Sequence, residues 1–208
     1  MAATLKEQIY NAIWEGIVNG EFPSNHVFNE KALIEKYNVS KSPVRDALIE
    51  LCNDGILRSI PRYGYEIVHI TNKQFHEINR IRMLIEMDNL NSVMDTITER
   101  DIAQLKAYVS ETDEALKQGE ITTKTHWNNN VGFHKLLYSI SNNEFGSLML
   151  ERCLKPLMIA YSISYKPSNE KYASLNTDSH WAILHCMESK DKQGAINALK
   201  SDLESFQI

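Results

Sequence analysis

Cysteine is scarce in this sequence. There are three in 208 residues (Cys52, Cys153, Cys186), with no CxxC spacing, which excludes a disulfide framework and reads as reduced thiols. Cys52 and Cys186 fall within helical apolar patterns and are expected in the core. No apolar run reaches the length needed to span a bilayer, and no long apolar stretch near the N-terminus marks a secretory leader. The expectation is a cytoplasmic protein with no membrane partner. Positive charge is not in excess either. The chain carries 22 Lys and Arg against 27 Asp and Glu, a net charge of −5. Residues 1–70 alone hold seven basic against nine acidic side chains, a net of −2. Nucleic-acid binding, if present, must rest on local placement of charge rather than on its sum. HExxH, P-loop and nucleophile-elbow motifs are missing, as are internal repeats and low-complexity tracts. Hydrophobic residues make up 43%, enough for a sizeable core in one or two domains.

What is present is concentrated between Phe28 and Tyr65, FNEKALIEKYNVSKSPVRDALIELCNDGILRSIPRYGY. Asn29 caps a helix with apolar positions at Ala32, Leu33 and Tyr37. Asn38-Val39 forms a sharp turn. Ser40 or Ser42 then caps a second helix, with Pro43 in its first turn, where a missing N–H costs nothing. Val44, Ala47, Leu48 and Leu51 repeat at helical spacing and face the core. Lys41, Ser42, Arg45 and Ile49 lie on the opposite side. Gly55 ends the helix, and Ile56-Leu57 and Tyr65–Val68 read as strands joined by Pro61-Arg62-Tyr63-Gly64. The pattern is a winged helix-turn-helix, which puts one helix into the major groove of DNA. Lys31, Lys36, Lys41, Arg45, Arg58 and Arg62 cluster around it, and Arg62 at the wing tip is placed to reach a phosphate or the minor groove.

The run VSKSPVRDAL, the LxxxGIL segment and PRYGY, preceded by IYNAIWEGIVNGEF and FNEKAL, resemble the DNA-binding domain of the GntR family of bacterial transcription regulators. The resemblance covers about the first 70 residues. It implies that Lys31, Lys41 and Arg45 hold the basic DNA contacts and that Gly64 is the wing glycine. Lys stands at two places where many relatives have Arg. Lys lacks the planar fork that reads guanine, so phosphate contact is expected there.

From Ile70 on, no alternating strand pattern appears after Val68. Thr71-Asn72-Lys73-Gln74 opens a helix through Phe75, Ile78, Ile81, Arg82, Ile85 and Met87 to about Asp95. Thr98 caps a second helix that Gly119 closes. Further helices are predicted over 123–141, 144–165, 170–189 and 191–206, with Pro156 kinking or dividing the fourth of the six. The fold class is mainly α: a winged helix-turn-helix over 1–70, then an all-α antiparallel bundle over 71–208 for effector binding and dimerisation. The segment Val68–Asn72 is the hinge.

The segments EINRIRMLIE, NVGFHKLLYSISNN and SHWAILHCMESKDKQGAINALKSDL are similar to the FCD effector domain of FadR-type GntR regulators. That domain often holds a divalent metal with one Asp and three His. Mapped here, those positions are Asn130, His134, His180 and Asp202. Asn130 replaces the usual Asp and Asp202 replaces a His, and both still offer an oxygen. Two imidazoles and a carboxylate suit Zn, Ni, Fe or Mn. Arg82 is expected to face the pocket and pair either with an effector carboxylate or with Glu86. Trp127, Tyr138, Tyr161 and Trp181 suit core or cavity wall, and His126 and His185 have no ligand spacing. The resemblance implies a ligand-responsive repressor that binds a palindromic operator as a homodimer and takes an organic acid as effector. A direct metal sensor is the alternative. A metal-dependent enzyme with a nucleic-acid-binding appendage is a third reading, which the missing catalytic motifs oppose.

Overall fold

The computed structural model describes residues 3–118, 123–164 and 177–205. Two compact units emerge. One holds Met1–Thr71 and Lys155–Ser164, and the other holds the remaining described residues.

The first unit opens with α1 (Leu5–Val18), started by a capping box between Thr4 and Glu7. Strand β1 (Val27–Phe28) leads into α2 (Glu30–Tyr37), where the Asn29 side chain accepts from the Lys31 amide. Asn38 turns the chain in the left-handed region, φ 51°, a conformation Asn tolerates better than most residues. The helix α3 (Lys41–Asn53) follows, then β2 (Leu57–Ile60) and β3 (Gly64–Ile67). All three strands are antiparallel in the order β1-β3-β2, with Phe28 opposite Tyr65 and Arg58 opposite Glu66. The core gathers Ile9, Ile13 and Ile17 of α1, Leu33 of α2, and Val44, Ala47, Leu48 and Leu51 of α3, with Ile56 and Ile67 from the sheet side. Truncating a fully buried Leu48 would cost about 2–5 kcal/mol.

Three expectations are corrected here. Of the three expected apolar positions of α2, Leu33 is buried and Tyr37 half-buried, but Ala32 is exposed. Strand β1 is too short to leave a periodic signal and was not foreseen. Both wing strands are shifted from their expected bounds, with β2 reaching Ile60 and β3 starting at Gly64.

The second unit is an all-α bundle. Its helices are α4 (Asn72–Val93), α5 (Glu99–Gln118), α6 (Thr123–Ser139), the first part of α7 (Glu144–Ser164), α8 (Asp178–Glu188) and α9 (Lys192–Ser205). Thr98 and Asp101 close a reciprocal cap at the start of α5. The core holds Leu90, Leu105, Val109, Phe133, Leu137, Ile183, Leu184, Leu199 and Leu203. Pro156 does not divide α7, which runs through it as one helix. Cys153 is buried, whereas Cys52 and Cys186 are half-buried rather than core. The expected Gly119 cap, the stretch 170–176 and Phe206 lie outside the described residues.

Helix α4 departs most from its expected face. Its buried residues are Phe75, Asn79, Arg82, Glu86, Asn89, Leu90 and Val93. Ile81 and Leu84 point outward, 51% and 60% exposed. A helix with four polar groups turned inward does so only where the interior has polar work for them.

Candidate functional site

In the first unit, α3 splits into two faces. Val44, Ala47, Leu48 and Leu51 are buried, while Lys41, Ser42, Arg45 and Ile49 are exposed. Ser40 is the N-cap residue but makes no side-chain cap bond. Ser42 lies inside the helix, and its hydroxyl donates to Asp46 Oδ2 at 3.2 Å. Lys41 lies 3.9 Å from a half-buried Glu30, and Lys31 lies 4.0 Å from an exposed Glu35. Such loose pairs contribute little and give way readily to a phosphate. Arg62 at the wing tip has φ 69°, a left-handed conformation uncommon for its type. Gly64 has φ 133°, and a Cβ there would meet the Phe28 carbonyl oxygen at 2.3 Å. The β1–β3 pairing therefore demands glycine. Glu30 was not singled out by the sequence pattern. Its carboxylate accepts from the Tyr65 hydroxyl at 3.2 Å and faces Lys41, which links α2, β3 and the start of α3.

In the second unit, His134 of α6, His180 of α8 and Asp202 of α9 converge. One ligand atom from each lies within 4.8 Å of the others, and all three residues are buried. His134 Nδ1 lies 2.7 Å from Glu86 Oε2, and Arg82 Nε donates to Glu86 Oε1 at 2.5 Å. His134 Nε2 lies 2.9 Å from Asp202 Oδ2, yet it makes no aligned hydrogen bond. His180 Nε2 is likewise buried without a hydrogen-bond partner, 3.9 Å from Asp202 Oδ1. Ser179 donates to Asp202 Oδ1. Phe133 stacks on the His180 ring at 4.1 Å and fixes its plane. One terminal nitrogen of Arg82 is also buried and unpaired. Asn130 is half-buried one turn before His134, on the same helical face.

The electrostatics follow from burial and neighbours. Burial pulls the His180 imidazole down to about 4, with His134 adding to the effect and Asp202 opposing it. Burial also works against a charged His134, but Glu86 and Asp202 outweigh it and raise its basicity. Burial alone would raise Asp202, yet His134, His180 and Ser179 hold its carboxyl well below the usual range. Glu86 is lowered too: Arg82 and His134 overcome its burial.

The donor set fits a divalent ion. A neutral His134 that donates its Nδ1–H to Glu86 turns a lone pair toward the Asp202 carboxylate. Lone pair and carboxylate at 2.9 Å repel, and either a proton on Nε2 or a metal ion relieves that repulsion. Two imidazole nitrogens and one carboxylate suit a divalent ion, with His134 steadied by Glu86, Asp202 by Ser179 and the His180 ring by Phe133. Trp127, Tyr138 and Tyr161 are buried, Trp181 is half-buried and His185 is exposed. The His126 side chain lies outside the described residues.

The chain matches the FCD domain over residues 77–205 and the gntR family of bacterial regulatory proteins over 5–67. It belongs to the GntR/FCD family of transcription regulators. A relative in Bacillus subtilis (strain 168), the HTH-type transcriptional regulator YdhC, is 29% identical over 90% of this chain and 83% of its own length. The gluconate operon transcriptional repressor of the same organism is 25% identical over 92% of this chain and 79% of its own. The structure of E. coli McbR/YncC superposes with a TM-score of 0.77 at 23% identity, covering 98% of this chain and 95% of that one. The GntR/FCD chain is therefore a ligand-responsive, DNA-binding regulator with an effector domain, a class that does not catalyse reactions. Its buried His/His/Asp cluster is able to coordinate a metal ion. Among the described residues, no helix is long and apolar enough to cross a membrane.

Proposed function

We propose that this chain is a FadR-type regulator that represses transcription until a small organic acid enters its effector domain. Residues 1–70 would bind DNA, and residues 71–208 would bind the effector and a second copy. Lys41, Ser42 and Arg45 would enter the major groove, with Lys31 and Arg62 on phosphates and Gly64 shaping the wing. A two-fold homodimer would match a palindromic operator. The outward Ile81 and Leu84 on α4 support self-association.

One observation carries the effector reading. The Arg82 guanidinium is 1% exposed, and one terminal nitrogen has no partner beside a cluster of three metal-ligand side chains. A carboxylate satisfies both, with one oxygen on Arg82 and another on an ion. His134, His180 and Asp202 would hold Zn, Ni, Fe or Mn, with the Asn130 carbonyl as a fourth donor. The ion supplies a fixed positive charge, and Arg82 supplies direction. The gluconate relative is a repressor by name, and gluconate is a carboxylate, which supports repression and an acid ligand here.

The convergent ligands also favour a second reading, in which the ion itself is the signal. Operator binding by fluorescence anisotropy separates the two. Carboxylates should release the metal-loaded protein from DNA, because a ligand regulates only by binding the two states unequally. Release by metal alone, with no response to any carboxylate, would make the chain a metal sensor.

A further inference from the structure

We propose that Glu86 is the positioning residue of the metal centre, holding the His134 proton on Nδ1 so that Nε2 faces the ion. This rests on the metal reading above.

Glu86 is buried, and both its oxygens are engaged. Oε1 takes the Arg82 Nε–H, and Oε2 takes His134 Nδ1. A residue present only as a counter-charge for Arg82 would meet the guanidinium fork with both oxygens. Glu86 does not. It gives one oxygen to Arg82 and the other to His134, and Arg82 keeps a terminal nitrogen unpaired. An ionised carboxylate only accepts, so the histidine must donate from Nδ1. That choice leaves Nε2 on the side of Asp202 and His180, where no aligned hydrogen bond awaits it. On the far side of the centre, Ser179 occupies Asp202 Oδ1 and leaves Oδ2 turned to His134. Both ligands are thus steered from behind, and a metal ligand's orientation is set in this way.

Glu86→Leu, which removes the acceptor, would alone leave Arg82 as an uncompensated buried charge, so the test uses Arg82→Met/Glu86→Leu as well. Zn²⁺ and Mn²⁺ affinities of the full chain are measured by chelator competition, with circular dichroism confirming the fold. The double variant, with neither charge, should bind 10–100-fold more weakly than wild type. Wild-type affinity in the double variant would reduce Glu86 to a partner of Arg82 and overturn the proposal, with the centre still standing. A wild type that takes up neither ion would remove the centre and the proposal together. Imidazole ¹⁵N spectra of the zinc-loaded wild type give an answer without substitution. His134 should keep its proton on Nδ1 and bind through Nε2, and binding through Nδ1 would overturn the assignment.

Discussion

His134 and His180 lie 5.4 Å apart between ring centroids, yet their surroundings push their basicities in opposite directions. In the unfolded chain both titrate near about 6.5. Below that pH the unfolded chain takes a proton at His180 that the native state refuses until about 4. Stability therefore falls as pH drops through that window, by about 3 kcal/mol at most. His134 has the opposite sign. Its native proton stabilises below about 6.5, and that contribution disappears as pH rises through its elevated native value. Metal-free protein should show its highest urea midpoint near neutral pH, with a decline on either side, and His180→Asn should flatten only the acid limb. A midpoint that climbs steadily from pH 6.5 to 4 would contradict this. On the DNA face, Arg45→Ala should weaken operator binding by about 1–3 kcal/mol and relax sequence preference. Unchanged affinity at fixed salt would take Arg45 out of the recognition role.

Among the elements, the wing and α4 show what a sequence reveals and what it hides. The α3 stripe of Val44, Ala47, Leu48 and Leu51 is legible because burial there follows the helical period. The caps of α2 are legible too, since Asn29 and Asn38 do what those side chains favour. Strand β1 is not, because two residues set no period and the pairing with β3 depends on a distant partner. That pairing fixes Gly64. Gly64→Ala should cost about 1–3 kcal/mol, read as a lower urea midpoint, and a neutral substitution would mean that the wing relaxes around the clash. Helix α4 hides its face for a different reason. Apolar periodicity assumes a greasy interior, and here Asn79, Arg82, Glu86 and Asn89 line the inside while Ile81 and Leu84 face out. His134, His180 and Asp202 could be placed by resemblance, but the grip of Glu86 on His134 joins residues 48 apart in the chain and leaves no local signature. If the outward pair seats a second copy, Ile81→Lys/Leu84→Lys should convert a dimer to a monomer by sedimentation without lowering the melting point. A dimer unchanged by both substitutions would place self-association elsewhere.

At the scale of the whole molecule, charge explains why composition alone is mute about DNA. A net of −5 repels the duplex, and only the exposed cations of α2, α3 and the wing offset it locally. Operator affinity should therefore fall steeply with salt, with a log–log slope of about −0.9 for each phosphate contact. A flat response would argue against phosphate anchoring. The acidic effector domain suits a part that stays off the duplex and carries the signal. The proposed signal rests on the buried His/His/Asp cluster, which is able to coordinate an ion beside an unpaired Arg82 nitrogen. The most direct test is elemental analysis of untagged protein, purified without a chelating column, beside His134→Ala. Near-stoichiometric divalent metal in the wild type and its loss in the variant is the expected result. Wild-type protein that stays metal-free, even with Zn, Ni and Mn offered in turn, would contradict the account and leave a pocket that reads its ligand through Arg82 and hydrogen bonds alone.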